Sequence, residues 1–151
     1  MLKKLFSFIF IDGDLKNDIK FLKTAPLFAG VSDRALAQIA LLVFKKTALE
    51  GEIVFSPNQE AQVIYIVKSG AVQLAGGGKE KTIKAGGHFG EIAFIKDSKH
   101  NISAKALENS ELYLIYRIKF EDLAESDGKT GFKIMKNFLN SLGAKFNNLE
   151  I

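Results

Sequence analysis

The most informative part of the sequence is GGHFGEIAF at residues 86–94, which a short spacer separates from KHNISAKA at residues 99–106. The glycines of the first segment permit backbone conformations that a Cβ forbids, so neighbouring N–H groups can converge on one point. Glu91 then opens a short apolar turn that can anchor the loop in a core. A glycine-rich bend leading into a helical turn favours an anion, and an adjacent carboxylate suits a hydroxyl donor. The pattern therefore predicts a loop that binds an anionic, hydroxylated small molecule.

FGEIAF and HNISAKA together resemble the phosphate-binding cassette of the cyclic nucleotide-binding domains of the catabolite activator family. That family's pattern is roughly F-G-E-[LM]-[AG]-L, a variable spacer, and then R-[ST]-A-x-V. Phe89, Gly90 and Glu91 match it outright, and residues 92–94 match in kind. The resemblance covers about residues 22–149. It implies a cyclic nucleotide ligand, cAMP or cGMP, and no other cofactor.

The resemblance also implies a set of site residues. In the family the Glu binds the ribose 2′-hydroxyl, while the Arg and nearby backbone amides bind the cyclic phosphate. The ligand-binding residues implied here are Gly87, Phe89, Gly90, Glu91, Ile92, Ala93, His100, Asn101 and Ile102. A structural role for Glu91, accepting amides of its own loop, is the competing interpretation.

The chain departs from the family pattern at the phosphate. His100 stands at the Arg position and Asn101 at the Ser/Thr position. A histidine is mostly neutral at pH 7 and offers no two-pronged donor. We therefore expect a weakened phosphate site; alternatively, His100 and Asn101 simply begin a strand.

Composition excludes several function classes. The chain has 151 residues and 47% hydrophobic composition, enough for one domain with a real core. Its net charge is only +4, and Arg34 and Arg117 are the only arginines, so we expect no nucleic-acid binding. There is no cysteine, and two histidines do not suggest a metal site. No nucleophile–base motif or paired carboxylates point to an enzyme.

The N-terminal segment reads as a helical extension over residues 1–24, before a nucleotide-binding-like domain over residues 25–151. MLKKLFSFIFI has a basic start and a short apolar run, but no cleavage site follows it, so we expect a cytoplasmic protein. Leu2, Leu5, Phe6 and Ile9 form an apolar helical stripe. The stripe fits packing on the domain or a partner chain better than a membrane interface.

The middle of the chain predicts an antiparallel β-roll, jelly-roll-like, over about residues 42–115. Short β-rich runs recur between turn residues, whereas helical spacing precedes and follows them. Ser32 is a good N-cap for the helix before the roll. His88 is interpreted as a loop residue without chemistry.

Two helices are predicted after residue 117, divided at Asp127 and Gly128. The second carries a heptad-like seam, which predicts a homodimer: Phe132, Met135, Leu139, Leu142, Phe146 and Leu149. Packing of this helix on its own β-roll competes with that interpretation, and Ile134 and Phe138 lie off the seam in positions suited to the intramolecular contact. In the resembling family this helix dimerises and closes over the base.

Two functions are compatible with these observations. The first is a regulatory cyclic nucleotide sensor whose occupancy repositions the last helix and alters an effector protein. The second is a dimerising or protein-interaction scaffold that keeps the fold and has lost the ligand.

Overall fold

The computed structural model describes the backbone of residues 14–146 and the side-chain exposure of residues 14–144. Helix α1 covers residues 14–24 and leads into a 3-10 turn at Pro26–Phe28. Helix α2, Asp33–Leu42, begins at Ser32, whose side chain accepts a hydrogen bond from the Ala35 amide, as the sequence predicts. The apolar stripe at residues 2–9 lies outside the described residues.

The chain then forms an all-antiparallel β-roll, which confirms the predicted fold class. Its strands are β1 (Phe44–Ala48), β2 (Ile53–Phe55), β3 (Val63–Ser69), β4 (Ala71–Gly76), β5 (Lys79–Lys84), β6 (His88–Phe89), β7 (Ser103–Ala106) and β8 (Ser110–Tyr116). One sheet has the order β1-β8-β3-β6 and the other β2-β7-β4-β5.

Strand β6 corrects the sequence interpretation. It lies inside the glycine-rich stretch, where His88 was expected in a loop, and its two residues pair with Tyr65 and Ile66 of β3. Two residues are too few to show an alternating pattern, so the sequence carried no signal for this strand.

Two C-terminal helices close the described chain, as predicted. Helix α3 covers Arg117–Ser126 and α4 covers Gly128–Phe146. Asp127 separates them and caps α4, because its carboxylate accepts hydrogen bonds from the amide and hydroxyl of Thr130. No helix within residues 14–146 is long and apolar enough to cross a membrane.

The buried residues form two clusters. One fills the interior of the roll and contains Phe55, Phe89 and Leu112. The other, which we call the helix-side core, lies where the helices pack on the roll and contains Leu22 and Ile134. The described part of the N-terminal extension thus contributes to the same core as the last helix.

Helix α1 is fixed to the roll by a buried polar contact. The Tyr113 hydroxyl donates a hydrogen bond to the Asp18 carboxylate, and Lys45 Nζ lies 2.9 Å from its other oxygen. Burial, followed by the Asp18 interaction, raises the pKa of Tyr113 well above its usual value. The tyrosine therefore stays protonated and serves as the donor.

Candidate functional site

The glycine-rich turn has the sharp geometry that the sequence predicts. At the end of β6, Gly90 adopts the left-handed conformation with φ +81°, and a 3-10 turn at Glu91–Phe94 follows at once. A Cβ at position 90 would lie 2.8 Å from the Val63 carbonyl oxygen and 2.9 Å from the Tyr65 ring. Only glycine meets both constraints, so this residue sets the direction in which Glu91 leaves the roll.

Glu91 is held at the mouth of this turn. Its side chain is only 14% exposed, and Oε1 lies 3.3 Å from Nε2 of His88. His88, interpreted above as a loop residue without chemistry, therefore contacts the predicted ribose-binding carboxylate.

The 3-10 turn is anchored on both sides. The Ala93 amide donates to the Gly90 carbonyl over 3.0 Å, and Ala93 is fully buried. The Ser98 hydroxyl donates to the Ile92 carbonyl over 2.6 Å, which ties the spacer to the turn. The first amides of a 3-10 turn make no hydrogen bond inside the turn itself.

Phe94 connects the turn to the C-terminal helices. Its ring meets Phe120 of α3 edge-on, with centroids 5.0 Å apart, and packs against Phe138 of α4 at 4.8 Å. Such pairs add to the energy of simple burial. A displacement of the turn would therefore change the packing of α3 and α4.

His100 lies in the interior of the roll and not in a surface loop. It is 4% exposed, and its ring is parallel to that of Phe55 with centroids 3.6 Å apart. Its backbone is also fixed, because its amide donates to Gln59 and its carbonyl accepts from Asn58. Burial lowers the pKa of His100, so the imidazole is neutral at pH 7.

The stack belongs to a larger group of rings, which we call the aromatic cluster: Phe55, Tyr65, Phe89 and His100. Phe89 stacks on Tyr65 with centroids 4.9 Å apart, and Phe55 tilts against both. Phe89 is fully buried, so it supports the turn from inside the core. Phe55 and Tyr65 were missed by sequence reasoning, since their partners are distant in the chain.

The remaining predicted site residues flank these groups. Gly87 precedes β6, and a Cβ there would lie 2.6 Å from Ile83 Cγ2. Asn101 is exposed, while Ile102 is half-buried and packs on the core of the roll. The strand begins only at Ser103, so His100 and Asn101 precede it.

The predicted seam of α4 is divided between two environments. Phe132 and Leu139 are 71% and 59% exposed, whereas Met135 and Leu142 pack partly against the helix-side core. Ile134 and Phe138 are buried, which confirms their predicted intramolecular role. The side chain of Phe146 and all of Leu149 lie outside the described residues.

Comparison with known families agrees with this arrangement. The family model described as "Cyclic nucleotide-binding domain" matches residues 34–127, more than half of the chain. The chain belongs to the cyclic nucleotide-binding domain family. The matched residues include all eight strands, the glycine-rich turn and His100.

This cyclic nucleotide-binding domain is similar to parts of two curated proteins. One is the cyclic AMP receptor protein of Thermus thermophilus, which is 31% identical over 103 residues, 64% of this chain and 47% of the relative. The other is the cAMP-dependent protein kinase regulatory subunit of Candida albicans, 28% identical over 91 residues, 59% of this chain and 20% of the relative. The chain thus spans less than half the length of these relatives.

Solved structures share the fold of the domain. The Thermus thermophilus catabolite activator protein superposes with a TM-score of 0.71 at 24% identity, covering 82% of this chain and 59% of that one. A cyclic nucleotide-binding domain from Methylobacillus flagellatus gives a TM-score of 0.76 at 16% identity, covering 91% of this chain and 80% of that one. At these identities the likeness establishes the β-roll with flanking helices.

The geometry at Gly90 predicts a position-specific cost of substitution. Gly86 and Gly90 have φ of +87° and +81°, but a Cβ at Gly86 meets nothing within 4 Å. Gly86→Ala should therefore lower the free energy of unfolding by about 1–2 kcal/mol, because only the left-handed conformation is unfavourable for alanine. Gly90→Ala should lower it by about 1–3 kcal/mol more, because the added Cβ also meets the backbone. Urea unfolding followed by circular dichroism measures both, and equal costs would contradict the geometry.

Proposed function

We propose that this domain is a non-catalytic regulatory module that binds a cyclic nucleotide, cAMP or cGMP, at the turn formed by Gly90 and Glu91. The observation that carries the proposal is the left-handed Gly90, which presents a largely buried Glu91 directly before a short 3-10 turn. In this proposal Glu91 accepts the ribose 2′-hydroxyl, and the first amides of the turn face the cyclic phosphate. Ile92, Ala93 and Ile102 supply apolar surroundings.

The phosphate site is weak in this proposal because it lacks a permanent charge. His100 is buried against Phe55 and neutral at pH 7. A hydrogen bond to a charged group contributes about 1.5–3 kcal/mol net. The absent Arg should therefore cost roughly ten- to a few-hundred-fold in affinity. Binding is weakened but retained.

Occupancy is transmitted through Phe94. The ring stands between Phe120 of α3 and Phe138 of α4, so a ligand that shifts the turn changes the packing of both helices. A ligand biases such an element only as far as it binds the two arrangements differently. We propose that α4 reports occupancy to an effector protein in the cytoplasm.

A second candidate function is a ligand-free interaction scaffold. Two contacts favour it: the His100 ring is already stacked on Phe55, and Glu91 Oε1 already lies 3.3 Å from His88 Nε2. Both groups that a nucleotide would need are thus engaged within the protein. The two candidates differ in whether any cyclic nucleotide displaces these contacts.

Calorimetric titration of the His100→Arg variant separates the candidates. At pH 7.5 the variant should bind cAMP or cGMP roughly ten- to a few-hundred-fold more tightly than the wild type, because it restores a permanent charge. Glu91→Ala should weaken binding in either background. Lys81→Ala, an exposed residue of β5, serves as the control and should change nothing.

The pH dependence gives a second readout of the same titration. A bound phosphate stabilises protonated His100 and raises its pKa, so wild-type affinity should increase as pH falls from about 8 to about 6. Because burial lowers the pKa of His100 in the free protein, the gain is concentrated at the acid end of that range. The affinity of the His100→Arg variant should lose most of this pH dependence. Absence of binding by both proteins at millimolar nucleotide would leave the scaffold as the function.

We further propose a homodimer through the seam of α4, in which the two-fold axis brings like residues together. Among the described seam residues, Phe132 and Leu139 are exposed, whereas Leu142 also packs on its own core. Phe132→Glu/Leu139→Glu should therefore give folded monomers in light scattering, and Leu49→Glu, also exposed, should leave the dimer intact. A wild type that remains monomeric at high concentration would refute the dimer.

A further inference from the structure

Helices α3 and α4 expose stripes of opposite charge. Asp122 and Glu125 are exposed on α3, and Lys129 and Lys136 are exposed on α4. Residues 128–144 contain three lysines and no acidic residue. Across residues 14–144, none of these four named side chains forms an ion pair.

Two of these charges, Glu125 and Lys129, are placed against the helix dipoles. Anionic side chains stabilise the first turn of a helix and cationic ones the last turn. Glu125 instead lies in the last turn of α3, which has no basic residue, and Lys129 lies in the first turn of α4, which has no acidic one. Local helix stability therefore does not explain this distribution.

Apolar residues accompany both stripes. Ile118 of α3 is 63% exposed, and Phe132 and Leu139 of α4 are exposed to a similar extent. Apolar side chains grouped beside charges are typical of a surface that meets another protein.

The opposite faces of both helices are already occupied. Phe120, Leu123, Ile134 and Phe138 are buried in the helix-side core. Asn137 donates hydrogen bonds to the Leu27 and Ala29 carbonyls, which fixes the rotation of α4. The exposed stripes are therefore held outward and cannot turn into the protein's own core.

The two stripes lie on helices that pack against each other. A Cβ at Gly131 would lie 2.6 Å from Ala124, so α3 packs closely on the first turns of α4. If two copies pair α4 with α4 in parallel, the α3 helix of each copy lies beside the first turns of the other copy's α4. Those turns carry Lys129, Phe132 and Lys136.

We propose that the acidic stripe of α3 binds the basic stripe of α4 in a second copy of this chain, an inference that rests on the proposed homodimer. Asp122 and Glu125 of one copy face Lys129 and Lys136 of the other. Two-fold symmetry repeats each contact, so both stripes are neutralised twice in one interface. Ile118, Phe132 and Leu139 supply the apolar surface between them.

Charge reversal tests this pairing. Asp122→Lys/Glu125→Lys and Lys129→Glu/Lys136→Glu each place like charges across the interface, and each should weaken the dimer about 100-fold. All four side chains are exposed, and Glu125→Lys and Lys129→Glu agree with the helix dipoles, so the variants should stay folded. An equimolar mixture should form a heterodimer, because the mixed pair restores opposite charges. Analytical ultracentrifugation measures all three samples.

Two controls make the outcome decisive. The chain that carries all four reversals should dimerise like the wild type, and Lys81→Glu/Lys84→Glu, on β5, should have no effect on association. Reversal variants that dimerise normally, or a mixture that stays monomeric, would overturn the pairing while leaving a wild-type dimer in place. A monomeric wild type would refute the dimer itself, and the nucleotide titrations remain an independent measurement.

Discussion

The stacking of His100 on Phe55 is the interaction on which the site depends. Phe55 belongs to the sheet containing β2, whereas Tyr65 and Phe89 belong to the other sheet, so the aromatic cluster joins the two layers of the roll. Phe89 directly precedes the glycine turn, and His100 begins the second half of the cassette. One buried group of rings thus fixes both halves of the site relative to each other.

This packing changes the chemistry of the site. The family pattern has a charged residue where the chain has a ring that is buried, stacked and neutral. An apolar interior stabilises the fold but disfavours the protonated imidazole that a phosphate would recruit. The proposed ribose side keeps the family's Phe-Gly-Glu residues at positions 89–91. In the proposed function, one half of the nucleotide site is therefore retained and the other half is packed into the core.

Much of the fold could be predicted from the sequence, because short β-rich runs between turn residues mark seven of the strands and helical spacing marks the ends. The two-residue β6 was invisible to periodicity, so the place of His88 beside Glu91 was missed. The stacking of Phe55 on His100 joins residues 45 apart, which one sequence cannot reveal. The α4 seam was predicted as one stripe, but the core on one side of the helix divides it.

The most direct measurement is the titration of the His100 imidazole by NMR, with and without saturating cyclic nucleotide. A His88→Asn variant assigns the two histidine signals. We expect a pKa below the ordinary value of about 6.5 in the free protein and a higher pKa in the complex, because the bound phosphate stabilises the protonated ring. An ordinary pKa in the free protein, or a pKa that saturating nucleotide leaves unchanged, would contradict it.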